Sequence, residues 1–69
     1  MRYTAFRDLI QQALRACPDG LTWVQLRDQL ELPYERACPN WTKRLENEIG
    51  LTRMKAAGRA LIWKVPVWL

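Results

Sequence analysis

Asn40, Lys43 and Asn47 recur at intervals of three and four in CPNWTKRLENEIG, residues 38–50, and Arg44 stands beside Lys43. On an α-helix that spacing gathers the first three on one face. Trp41, Leu45, Ile49 and Cys38 then turn inward, Arg44 lies on one flank and Glu46 on the other. A helix fits a DNA major groove, where asparagine can pair bidentately with adenine and lysine can donate to guanine. Arg44 is better placed for a phosphate. The free amides around Asn40, at the start of the helix, are a further place for an anion. Any amphipathic helix leaves polar residues in water, however, and Glu46 and Glu48 offset Lys43 and Arg44. Alone, the helix does not decide between a reading face and a wet one.

The following segment is one-signed. Arg53, Lys55, Arg59 and Lys64 stand in a stretch, residues 51–69, that contains no acidic residue. Such a hairpin can approach a phosphate backbone closely. The same lysines and arginines could serve only to keep an edge strand from pairing with other chains.

Catalysis has little to work with. The chain contains neither histidine nor serine, which removes the commonest general base and the serine nucleophile. Its two cysteines, Cys17 and Cys38, are far apart and have no histidine to complete a zinc set. The carboxylates are scattered, with no pair suited to acid–base work or metal binding. The expectation is a protein that is not an enzyme and needs no cofactor or metal.

The elements that must position these residues follow from periodicity. Phe6, Leu9, Ile10, Ala13, Leu14 and Cys17 form one stripe, so a helix is predicted over residues 4–17, with Thr4 as N-cap and CPDG as its stop. Leu21 then forms a strand of one or two residues. Thr22 with Gln25 is a capping-box pair, and the second helix, residues 22–31, turns Trp23, Leu26 and Leu30 inward before Pro33. Tyr34 to Ala37 could form a helical turn. The third helix spans residues 39–49, with Pro39 in its first turn and Gly50 in the left-handed position beyond its end. Residues 51–55 and 59–65 read as two strands around Ala56, Ala57 and Gly58, which predicts a hairpin. Pro66 ends the ladder and leaves Val67, Trp68 and Leu69 as an apolar tail, able to cover a crevice or to bury against another copy or a partner.

Sixty-nine residues, 49% of them hydrophobic, make one domain with one core. Phe6, Trp23, Trp41 and Trp63 belong to that core, and Tyr34 is not assigned by its pattern. The net charge of +4 favours a polyanionic partner. No apolar run approaches the ~20 residues of a membrane span. The N-terminal MRYTAFRDLI is amphipathic, not a continuous apolar leader, so a cytoplasmic chain with two reduced, mostly buried thiols is expected.

The fold class is therefore α+β: three helices, a short strand and a C-terminal β-hairpin over one core. The runs GLTWVQLRDQL, LPYERACPNWTKRLENEIGL and TRMKAAGRALIWKV resemble the winged helix-turn-helix family. The resemblance rests on Leu21-Thr22, Leu26, Leu30, Leu45-Glu46, Gly50-Leu51, Gly58-Arg59 and Trp63, in that order and spacing. It covers residues 21–65 closely and the first helix by position only. It implies duplex DNA as partner and a role in transcription regulation, the third helix in the major groove and the hairpin wing on backbone or minor groove. The residues expected to bind are Asn40, Lys43, Arg44, Asn47, Arg53, Lys55 and Arg59. The alternative on the same scaffold is a protein-interaction module, since a fold does not dictate its function.

Overall fold

The computed structural model describes residues 1–55, 58 and 60–66. The chain forms α1 (Tyr3–Ala16), β1 (Leu21–Thr22), α2 (Trp23–Leu30), α3 (Pro39–Glu48), β2 (Thr52–Lys55) and β3 (Leu61–Lys64). This is a small α+β arrangement of three helices and a three-stranded antiparallel sheet in the order β1-β3-β2. Among the described residues, no helix is long and apolar enough to cross a membrane.

Helix α1 buries Tyr3, Phe6, Ile10, Ala13 and Leu14, the predicted stripe extended by one turn. Leu9 and Cys17, at its margins, are only half-buried. Thr4 is not the N-cap. Arg2 holds that position, its carbonyl accepting from Phe6 N–H at 3.0 Å, because capping two residues earlier turns the Tyr3 ring into the core.

The capping box at the head of α2 forms as expected. The Gln25 N–H donates to Thr22 Oγ1 at 3.2 Å, and the Thr22 N–H donates to Gln25 Oε1 at 2.9 Å. The helix ends at Leu30, before Pro33 can act. Glu31 adopts left-handed backbone at φ 53°, and the Leu32 N–H reaches back to the Arg27 carbonyl at 2.9 Å. Burial of Leu32, 7% exposed, accompanies that turn.

The helical turn considered for Tyr34–Ala37 does not form. The segment is bent, and Tyr34 packs edge-on against Phe6 and Trp41, with centroids 6.2 and 5.8 Å away. Trp23 Nε1–H and Arg27 Nη1–H both donate to the Glu35 carbonyl, at 3.1 and 3.3 Å, and so anchor this connection to α2.

In α3 the inward face is Trp41, Thr42, Leu45 and Ile49. Cys38 is exposed, contrary to the expectation of a buried thiol, because as N-cap it lies outside the helical winding that turns its neighbours inward. Thr42 takes the inward place, its hydroxyl donating to the Cys38 carbonyl at 2.7 Å. Beyond the helix, the Leu51 N–H donates to the Leu45 carbonyl and Gly50 takes φ 71°, the left-handed stop predicted for it.

The hairpin strands are shorter than predicted. Leu51 and Val65, expected at their ends, fall outside the ladder and are buried, 4% and 8% exposed. Arg53 pairs with Trp63 and Lys55 with Leu61 across β2 and β3, while Leu21 pairs with Trp63 from the other side. Phe6 and Trp63 are core residues, as expected. Trp23 and Trp41 are half-buried and pack against that core.

Candidate nucleic-acid interface

Asn40, Lys43 and Asn47 are all exposed and form a ridge along α3 opposite Leu45, which is fully buried. Arg44 and Glu48 lie to one side of the ridge, toward α1. Glu48 there accepts from two arginines: Arg7 Nη1 at 3.0 Å and Arg44 Nε at 3.1 Å. The Arg44 guanidinium also sits 3.8 Å from the centroid of the Tyr3 ring, a cation–π contact. On the other side Glu46 meets Arg53 of β2 at 3.6 Å, and the Arg53 guanidinium lies 5.8 Å from the Trp63 ring centroid.

These pairings change the electrostatics of the face. Each acid of α3 has an arginine from a different element against it, so neither presents an uncompensated charge to an incoming phosphate. Arg44 and Arg53 are in turn partly committed within the molecule. Lys43 and Lys55 are exposed and have no ion pair among the described residues. Lys64 is half-buried and, pairing with Thr52, lies on the sheet face opposite Arg53 and Lys55. Arg59 and the apolar tail Val67, Trp68 and Leu69 fall outside the described residues.

Two titrations respond to this cluster. The Arg7 hydrogen bond, with Arg44 in support, holds the Glu48 carboxyl below its ordinary 4.5. Burial, then the negative charge of Glu48, raises the Tyr3 phenol above its ordinary 10.0. The Tyr3 hydroxyl is buried and makes no hydrogen bond among the described residues. A depressed carboxyl stabilises the fold above its unfolded pKa, and that contribution disappears as pH falls through the folded value. Glu48→Gln is therefore expected to lower the melting temperature at pH 7, and the difference from the wild type is expected to shrink as pH falls below the ordinary carboxylate range and Glu48 takes up its proton. A thermal-melt series across pH checks this; a constant difference at all pH values would contradict it.

Two hollows flank the ridge's N-terminal end. The larger, about 580 Å³, opens between the head of α2, the connection at Arg36 and the sheet face carrying Arg53, Leu61 and Trp63. The smaller, about 300 Å³, is lined by Phe6, Trp23, Tyr34 and Trp41 with Met1 and Cys38 at its margin. Sequence reasoning missed Arg36 and Val24 in the first and Tyr34 in the second. Only the capping box carried a hint, since it fixes Trp23 and Val24 at the first turn of α2. Comparison of the chain with protein-family models, characterised proteins and solved structures finds no match in any of the three.

Proposed function

We propose that the chain is a small nucleic-acid-binding module of winged helix-turn-helix type, acting on duplex DNA and serving transcription regulation. The observation that carries this reading is the exposed Asn40–Lys43–Asn47 ridge, bounded on both sides by acids already matched with arginines. The ridge enters the major groove, where its amides and ammonium address base edges. Lys55, Arg53 and Arg59 of the hairpin lie along the backbone as the wing.

Lys43 is the test position. Its charge is unpaired among the described residues, and its exposure keeps a substitution from disturbing the core. Lys43→Glu is expected to weaken duplex binding about tenfold at low salt and to flatten the salt dependence by roughly one unit of slope. Fluorescence anisotropy of a labelled duplex over a salt series measures both. Affinity that is flat in salt and indifferent to Lys43 would remove the nucleic-acid reading.

A protein-interaction role on the same fold gains from one observation. Met54 and Val24, 61% and 52% exposed, offer apolar side chains to a partner on two separate surfaces. Sedimentation of the chain with and without Trp68 and Leu69 separates self-association through the tail from a monomer.

A further inference from the structure

The larger hollow has a composition that the duplex reading does not use. It is lined by the half-buried Trp23 and the exposed Val24 at the head of α2, by Leu61 and the largely buried Trp63 of β3, and by the cations Arg36 and Arg53. Trp23 and Trp63 lie 5.4 Å apart with a tilt of 31°, so the buried Trp63 indole backs the half-buried Trp23 indole, which is the aromatic surface open to the groove. Among the described residues the ionisable groups lining it are both cations, Arg36 and the Arg53 that also meets Glu46. Cross-strand register places Lys55 on the same sheet face as Arg53, since Lys55 stands opposite Leu61 and Arg53 opposite Trp63. A planar apolar interior under a guanidinium rim complements a planar apolar ligand that carries anions.

We propose that this groove takes one unstacked nucleobase, with its flanking phosphates on Arg36 and Arg53. The target class is then DNA with an unpaired base: a single strand, a bulge or a duplex–single-strand junction. The proposal rests on the nucleic-acid reading above and narrows it. Geometry supplies the continuity. The Arg36–Ala37 wall leads through Cys38 directly into α3, so a strand lying along the Asn40–Lys43 ridge passes the mouth of the groove.

An acidic peptide would meet the same two arginines, but its backbone would find little here. Ile62 and Trp63 of β3 are paired on both sides, by β1 and β2, so this stretch beneath the groove presents no free strand edge. A peptide inserted there would leave main-chain polar groups unmatched against indole and aliphatic carbon. A base has an aromatic face to stack, and its polar edges can remain toward the open side.

Val24 and Arg36 test this without touching the core, because both are exposed. Three labelled probes are compared by anisotropy at low salt: a fully paired duplex, the same duplex with a one-nucleotide bulge, and a thymidine oligonucleotide. The wild type is expected to bind the bulged duplex about tenfold more tightly than the paired one. Val24→Arg, which fills the groove while adding a cation, should abolish that preference without weakening paired-duplex binding. Arg36→Gln should lower bulged and single-strand binding more than paired binding. Paired-duplex binding with no preference for the bulge overturns the groove and leaves the ridge standing. Single-strand binding that depends on Val24, without duplex binding, sustains the groove and removes the duplex reading. Binding to none of the three probes, or displacement of all three by a tryptophan-containing acidic peptide that binds more tightly, overturns the groove.

Discussion

Phe6→Ala is expected to leave most molecules unfolded at 37 °C. The Phe6 side chain is 2% exposed and lies among three aromatic rings, with centroids 5.0 Å away for Trp41, 6.1 Å for Trp23 and 6.2 Å for Tyr34. Removing a buried phenyl group costs about 3–5 kcal/mol, and each well-placed aromatic pair adds about 0.5–1.5 kcal/mol beyond its buried area. A domain of this size has, at about 0.05–0.15 kcal/mol per residue, only about 3–10 kcal/mol in total. The loss is also hard to repair. Phe6 is where α1, the head of α2, the bent connection and α3 meet, and it already borders the 300 Å³ hollow, so truncation enlarges a space instead of closing one. Urea unfolding followed by tryptophan fluorescence should show the midpoint collapse, while Phe6→Leu keeps a cooperative transition. A Phe6→Ala protein with a wild-type midpoint would mean that the aromatic cluster is not what joins the helices.

What could be read without coordinates was local. The stripe of α1, the Thr22–Gln25 capping box, Pro39 at the head of α3, Gly50 beyond its end and the hairpin around Gly58 each depend on residues within a few positions of one another. The errors concern partners far away in the chain or backbone set by tertiary burial. Tyr3 joins α1 because a pocket beside α3 receives its ring, and Leu32 folds inward because Glu31 accepts a left-handed conformation that composition does not favour. Glu48 is 41 residues from Arg7, a separation over which no pattern in the sequence announces an ion pair. The site was legible in the same proportion. The ridge of α3 follows from helical spacing, whereas Arg36 and the groove beside it emerge only once the connection is folded against the sheet.

The acids of α3 illustrate the difference. As sequence they cancel Lys43 and Arg44 and make the helix look indifferent to polyanions. In three dimensions Glu46 and Glu48 meet Arg53 and Arg7, on β2 and α1, and so fix the tilt of α3 between those elements. Each such exposed pair contributes little stability, but together they bracket the ridge. Charge reversal at Lys43 is accordingly a cleaner probe of binding than reversal at Arg44 or Arg53, which would also disturb the helix's setting.

Gly20→Ala is expected to cost about 3 kcal/mol or more, combining backbone strain with a forced displacement. Gly20 holds φ at +90°, outside the ordinary range of an L-residue. A methyl group there would collide with Ile62 Cγ2 and lie 2.8 Å from Lys64 Cγ and 2.8 Å from the Trp63 carbonyl oxygen. The two side chains can swing away. The carbonyl cannot, because it belongs to the central strand of the sheet, and moving it breaks the pairing of Leu21 with Trp63. Gly58 separates the two contributions: it has φ +102° but, among the described residues, nothing within 4 Å of an added methyl group. Gly58→Ala should therefore show the strain alone, and the excess loss at Gly20 should report the clash. For a domain this small each kcal/mol corresponds to a melting-point shift of about 4–8 °C, so calorimetry resolves the difference. Equal losses at both glycines would show that β3 yields freely. Because Trp63 backs Trp23 beneath the groove, a larger loss at Gly20 should come with changed Trp63 indole resonances and with a lost preference for the bulged duplex in whatever protein remains folded.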